Sequence, residues 1–199
     1  MVLFNNLRWL DQLKQSTVLL VNIPVAALFV YCQGKIVFDS KIIVGKPATP
    51  TPTLSSSIKE VVLYSYWMVP KKIATKVLLP RIKRNPGYLS ALNYQLLNNN
   101  GDVINPYVIS WHRLGTRYSP YTIRQSTGCD NSLGIVNFNF ENPFSVYLHD
   151  TPKKELFATP NRFYSHGCMR VEKTEALAHL LLVDNKQAID TITAKGCLQ

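Results

Sequence analysis

The stretch 17-TVLLVNIPVAALFVYCQGKIVFDSKIIV-44 decides the architecture. Its Val, Ile, Leu, Phe and Tyr residues come in short runs rich in β-branched and aromatic side chains. Pro24 breaks the first run, and Gln33-Gly34 sits where a hairpin turn is needed before Lys35 to Val44. This texture reads as about three strands of an antiparallel sheet. Val18 to Val30 is the one long apolar run, and Asn22 and Pro24 interrupt it. A spanning helix needs about 20 apolar residues, so the run reads as two buried strands and no membrane-spanning segment is expected.

Upstream, Leu7, Leu10 and Leu13 in Asn5 to Gln15 predict a short amphipathic leader helix within residues 1–16, ahead of a domain over 17–199. Asn5, Asn6, Arg8, Asp11 and Lys14 break up any secretion signal there. Downstream, Lys46 to Thr53 holds Pro47, Pro50 and Pro52, which predicts a loop lying across the surface. Ile58 to Val69 returns to strand character. From Pro70 to about Gly128 the texture changes to basic and proline-punctuated. Lys71 to Leu79 and Tyr88 to Leu97 each predict a short helix there, and the remainder reads as loop. We read 70–128 as an insertion, because strand-like sequence resumes at Gly134 to Phe140 and Phe144 to His149. Long inserted segments of this kind are usually functional or mobile. Glu172 to Val183 predicts a helix with acids in its first turn, and Gln187 to Thr193 a last strand.

Of 199 residues, 46% are apolar, 11% aromatic and 17% charged, which excludes disorder or coiled coil as a description of the whole chain. The net charge of +10 is concentrated. Between Val61 and Cys129 stand nine basic residues against the single acid Asp102, a local balance of +8. Nucleic acid would suit such a patch, but so would an anionic cell-wall polymer or plain solvent. Cys32, Cys129, Cys168 and Cys197 are far apart and form no CxxC pair, which argues against a structural zinc site.

Chemistry is concentrated in Tyr147-Leu148-His149-Asp150-Thr151-Pro152 and in Ser165-His166-Gly167-Cys168-Met169-Arg170-Val171. A lone cysteine is ordinarily a small buried apolar residue, and Cys32, Cys129 and Cys197 read either as such buried thiols or as including one disulfide. Cys168 differs, with His166 and Arg170 two residues to either side and His149 upstream. An imidazole or nearby positive charge is what turns a thiol into a nucleophile. Gly167 frees the adjacent backbone to turn and to aim consecutive N–H groups at one spot, as an oxyanion hole requires. Either histidine could be the base; if the segment is extended, His166 points away from the sulfur. His149, His166 and Cys168 could ligate zinc by residue type, but the H-x-C spacing is poor support, and no metal or cofactor is expected.

A histidine, fifteen residues, then Ser-His-Gly-Cys-Met-Arg resembles the signature of the L,D-transpeptidase catalytic domain, the YkuD-like family. Val18 to Ile23, Lys41 to Pro52, Tyr147 to Pro152 and Phe163 to Lys173 are similar to the Gram-negative branch with a large lid insertion. The resemblance implies a mostly β, β-sandwich-like domain with a few helices, with 70–128 as a lid over a cleft. It implies that Cys168 attacks the amide between the third residue and D-alanine of a peptidoglycan stem, and that an amine then takes the acyl group to give a 3-to-3 cross-link. His149 matches the general base, and the carbonyl of Asp150 the group that orients it. N–H groups of Gly167 and Cys168 match the oxyanion donors, with His166 and Ser165 shaping that wall. Arg170 would position a stem carboxylate or lower the thiol pKa, and Tyr147 would line the cleft. Stem peptides are then the partners, carbapenems covalent inhibitors, nucleic acid no partner, and the periplasm or cell envelope the location. A carboxypeptidase, a D-amino-acid exchanger, a lipoprotein-attaching enzyme with the same nucleophile, or a non-catalytic wall-binding module are the alternatives.

Overall fold

The computed structural model describes residues 17–115 and 120–182. The leader helix and the strand expected over Gln187 to Thr193 lie outside the described residues. Strand dominates what is described, with few helices.

The chain opens with β1 (Val18–Asn22), β2 (Ala27–Cys32) and β3 (Lys35–Gly45), a continuous antiparallel meander. Pro24 falls in the first turn, and Gln33 and Gly34 take positive φ (50° and 77°) in the second, as a tight hairpin requires. After β4 (Ile58–Leu63), Tyr64 adopts a positive φ of 50° and the chain leaves this sheet. The strand character expected from Ile58 to Val69 is thus divided between two strands. β5 (Trp67–Met68) belongs to a second sheet.

A continuous helical stretch follows, from α1 (Lys71–Ile73) through a π-turn (Ala74–Leu78) to α2 (Leu79–Arg84). Pro80 has no N–H to return to the preceding turn, and the chain widens just ahead of it. The expected helix from Tyr88 to Leu97 is shorter than predicted. α3 (Tyr88–Ala91) stops at Leu92, and Asn93, at φ 55°, turns the chain into strand β6 (Tyr94–Leu97). β7 (Val103–Ile104) and β8 (Thr122–Gln125) complete a four-stranded sheet in the order β5-β8-β6-β7. Two short segments of the stretch read as loop, β7 and β8, are thus strand. Sequence signals were weak because these strands are short and their alternation is hidden between prolines and asparagines.

This smaller sheet has its own core of Val69, Leu78, Leu79, Ile82, Leu89, Leu96, Trp111 and Ile123. Asn131, fully buried, ties both connecting segments together through bonds to the carbonyls of Ser65 (3.3 Å) and Ser126 (2.8 Å).

The chain returns to the large sheet with β9 (Val136–Phe140), β10 (Leu148–His149), β11 (Phe163–Ser165) and β12 (Met169–Val171), and α4 (Thr174–Leu181) follows. Strand order is β1-β2-β3-β12-β10-β9-β4, with β11 also paired to β3. One face is apolar. Leu28 and Val30, Ile42 and Val44, Val136 and Phe138, Leu148, Met169 and Val171 pack with Leu177 and Ala178 of α4. No helix among the described residues is long and apolar enough to cross a membrane.

Candidate active site

β10 and β12 run parallel, with Leu148 opposite Met169 and His149 opposite Arg170. Side chains alternate along a strand, so Leu148 and Met169 enter the apolar core while His149 and Arg170 share the other face. One step earlier, the Met169 N–H donates to the Tyr147 carbonyl at 3.0 Å, which brings Tyr147 beside Cys168. Tyr147 and His149 are thus brought beside Cys168 and Arg170 across the pairing of β10 with β12. The Tyr147 hydroxyl lies within hydrogen-bond reach of the Cys168 sulfur, and its ring meets the His149 ring edge-on at 5.6 Å between centroids.

His149 is buried, and its Nδ1 lies 2.5 Å from the Asp150 carbonyl oxygen. A carbonyl only accepts, so Nδ1 carries the proton and the lone pair is left on Nε2. The Asp150 side chain holds this arrangement in place. It accepts from the Ile135 N–H at 3.1 Å and from Lys154 Nζ at 2.5 Å, and the Asp150 N–H donates to Val136 at 2.8 Å. Gly134, at φ 63°, leaves room for that carboxylate; any Cβ there would collide with it.

Burial pushes the His149 imidazole down to about 4, helped by the Arg170 guanidinium and only partly opposed by the Asp150 carbonyl and by the main chain at Leu133. Burial also raises the Cys168 thiol, against the pull of the Tyr147 N–H, the Tyr147 hydroxyl, Arg170 and its own N–H. Each member of the pair is therefore biased toward its neutral form at rest. Dry surroundings thus work against a thiolate beside imidazolium in the resting site.

The bend carrying Cys168 is fixed from below. Gly167 takes φ 124°, between β11 and β12, so the segment is bent rather than extended and the strand-alternation argument about His166 does not apply. Ser165 Oγ accepts from the Gly167 N–H at 3.1 Å and donates to the Cys168 carbonyl at 2.5 Å. The Gly167 N–H, expected as an oxyanion donor, is thus already engaged. The N–H groups of Cys168 and Tyr147 are the ones that point at the sulfur.

Two contributors went unread in the sequence. Thr51, from the proline-rich loop, is buried rather than spread across the surface. Its Oγ1 accepts from Gly45 N–H at 2.9 Å and donates to the Gly167 carbonyl at 2.8 Å. In Thr49-Pro50-Thr51-Pro52-Thr53 the prolines offer no N–H, and the hydroxyls were the signal available. The second is Trp67 of β5, whose side chain hydrogen-bonds the Tyr147 hydroxyl and so ties the smaller sheet to the site. His166 is exposed, and its imidazole is pushed down by partial desolvation and then by the charges of Lys46, Arg170 and Lys72, the last from α1. Cys129 is disulfide-bonded, whereas Cys32 and Cys168 are free thiols.

Residues 16–189 match the family model of the YkuD L,D-transpeptidase catalytic domain. A Haemophilus influenzae protein whose name assigns it to the L,D-transpeptidases is 39% identical over 176 residues, covering 88% of this chain but 35% of that protein. The chain thus spans about a third of the length of that relative. Looser overlaps occur with the catalytic domain of the E. faecium L,D-transpeptidase acylated by ertapenem (15% identity, 78% of this chain and 81% of that one, TM-score 0.38). A Mycobacterium smegmatis L,D-transpeptidase overlaps comparably (15%, 82% and 52%, TM-score 0.38). On the family match over nearly its whole length, the chain belongs to the L,D-transpeptidase catalytic-domain family.

Proposed function

We propose that this chain is the catalytic part of a peptidoglycan L,D-transpeptidase with Cys168 as nucleophile and His149 as general base. The observation that carries the reading is the parallel pairing of β10 with β12, which sets His149 opposite Arg170 and brings Tyr147, just before β10, beside Cys168, just before β12.

The neutral pair sets the order of events. As Sγ bonds to the carbonyl carbon of the amide joining the stem's third residue to D-alanine, the thiol proton passes to Nε2 of His149. The Asp150 carbonyl holds Nδ1–H and fixes the tautomer. The developing oxyanion is held by the N–H groups of Cys168 and Tyr147. His149 returns its proton to the departing D-alanine nitrogen as the C–N bond breaks, leaving a thioester. An amine of a second stem then attacks that thioester. Its proton passes through His149 to the sulfur as the C–S bond breaks, and a 3-to-3 cross-link forms. Arg170 acts on both partners: its charge favours the thiolate and disfavours imidazolium, so it assists loss of the thiol proton and hastens its return from His149. Ser165 positions the Gly167 bend, and His166 lines the exposed side of the cleft.

The smaller sheet, with the insertion read as 70–128, serves as the lid. Trp67 reaches Tyr147, and the charge of Lys72 is felt at His166. Its exposed Lys71, Lys72, Arg81 and Arg84 suit stem carboxylates, and covering the thioester limits hydrolysis. The disulfide at Cys129 suits an oxidising compartment such as the periplasm.

The test is intact-mass spectrometry of the protein mixed with a tetrapeptide stem and, separately, with a carbapenem. Each should add one acyl group, and the adduct should vanish in Cys168→Ala. No adduct from either reagent on the parent protein would overturn the enzyme reading in favour of a wall-binding module.

A further inference from the structure

Asp150 follows His149 of β10 and Glu172 follows Val171 of β12, so both stand at the same end of the parallel pair. A single ammonium closes that end. Lys154 Nζ donates to Asp150 Oδ1 at 2.5 Å and to the Glu172 carbonyl at 3.2 Å. It belongs to a short 3-10 turn (Lys154–Ala158) seated by the fully buried Phe157. The entry to that turn is fixed as well, because the buried Thr151 accepts the Lys153 N–H on its Oγ1 at 3.3 Å.

The two partners of this ion pair sit in different surroundings. The Lys154 side chain is half exposed, whereas that of Asp150 is buried. The other ion pair among the described residues, Lys173 with Asp39, is exposed on both sides. An ammonium has three donors and no acceptor, and Lys154 engages one donor at the exit of each strand. The strand that carries the base and the strand that follows the nucleophile are therefore joined by a side chain that touches neither reacting atom.

Asp150 meets the base in two ways. Its main-chain carbonyl holds His149 Nδ1, and its carboxylate acts on the same ring by charge. The charges acting on His149 are Arg170 on β12, which disfavours imidazolium, and Asp150, which favours it. Tyr147 faces the ring from its own strand, Cys168 stands beside Tyr147, and the residue opposite on β9 is the uncharged Asn137. Without a cation upon it, the buried carboxylate would draw a proton onto Nε2, the lone pair that has to take the thiol proton.

Taking the proposed function as given, we propose that Lys154 is a positioning residue for acylation: it fixes the Asp150 carbonyl on His149 Nδ1 and offsets the Asp150 charge, so that the base stays neutral and correctly turned. The half exposure of Lys154 suits this task, since water keeps its charge in place while the carboxylate it faces is dry.

The experiment follows acylation of Cys168 by a carbapenem, read by intact mass as the rate per folded molecule from pH 7 down to pH 4. Lys154→Met should raise the midpoint of the acid limb by about half to one pH unit, as one uncompensated neighbouring charge allows. The rate at pH 7 should slow by about three- to tenfold as the base loosens. Lys154→Gln drops the charge and keeps a donor; it should shift the limb alike, and it takes over the test if Lys154→Met does not fold. Lys154→Arg keeps the charge and offers donors to both acceptors, so it should hold the parent profile. Adding Asp150→Asn to Lys154→Gln removes the anion too, and the limb should return to the parent position. Lowered stability with an unmoved limb in the Met and Gln variants would make Lys154 a structural clamp alone and overturn the inference. A limb that stays shifted in the double variant would overturn it as well. Either result leaves the transpeptidase reading standing, since that reading fails when the parent itself takes up no acyl group from carbapenem or stem.

Discussion

The two faces of the large sheet differ as sharply as any two parts of the molecule, and they do so one residue apart. Leu148 and Met169 form a pair that disappears into the apolar core; the next pair, His149 and Arg170, lies on the opposite face. Across the sheet that second row continues to Ile43 on β3 and to Asn137 on β9. The first face satisfies itself by packing. The second holds buried polar atoms without hydrogen-bond partners, Asn137 Oδ1 and Arg170 Nε among them. The period of two in a strand thus lets one pair of strands supply cohesion on one side and a low-dielectric seat for titratable groups on the other. Substitutions on the two faces should therefore separate stability from chemistry.

The largest effect expected belongs to His149→Ala, on the polar face. Acylation of Cys168 should slow by about 10²- to 10⁴-fold, the usual worth of a general base, read as the rate of adduct growth by mass. The same residue makes a pH prediction. Its folded value of about 4 lies below the ordinary value of 6.5, so the folded state favours the neutral ring. The stability this contributes is complete above pH 6.5 and is lost as pH falls toward 4. It amounts to something on the order of 3 kcal/mol. Unfolding midpoints of the parent should fall across that window, and those of His149→Ala should fall less. Acylation by the parent should not lose its base between pH 7 and 5; a loss centred near 6.5 would contradict a buried, neutral imidazole.

The opposite face should give the opposite signature. Phe138 is fully buried in the core directly across from Leu148. Phe138→Ala should cost about 3–5 kcal/mol of stability in denaturant unfolding. At a temperature where the variant is folded, its acylation rate per folded molecule should stay close to the parent's. If chemistry fell as steeply as stability, the two faces would not be separable.

How much of this was legible in the sequence follows the same division. The apolar face was readable because each strand from Val18 to Val44 and from Val136 to Phe140 announces itself by β-branched and aromatic residues. The Cys168 motif was readable because unusual residue types stand close together along the chain. What could not be read were features assembled across the chain. Thr51 and Gly167 are 116 residues apart, and Trp67 and Tyr147 come together from different sheets. The neutral state of the Cys168–His149 pair also could not be read, because motif residues carry no record of how dry their surroundings are. The short strands β5 to β8 were missed for a related reason: two to four residues between prolines are too few to display a period.

Thr51 tests the boundary between the faces, and its expected effect is the smallest of the three. Its hydroxyl joins the end of β3 directly to the residue before Cys168, accepting from Gly45 and donating to the Gly167 carbonyl. Gly45 cannot be substituted to compensate, since a Cβ there would strike the backbone of Thr49 to Thr51. Thr51→Val keeps the shape and removes both bonds, leaving a buried N–H and a buried carbonyl unpaired. The cost should be about 1–3 kcal/mol. Because one of those orphaned groups sits immediately before the nucleophile, acylation should also slow by about tenfold. Thr51→Ser, which keeps the hydroxyl, should recover the rate more fully than the stability, since it loses only a buried methyl. If Thr51→Val lowers stability with an unaltered acylation rate, the loop is merely part of the packing and the bend holds its own geometry through Ser165.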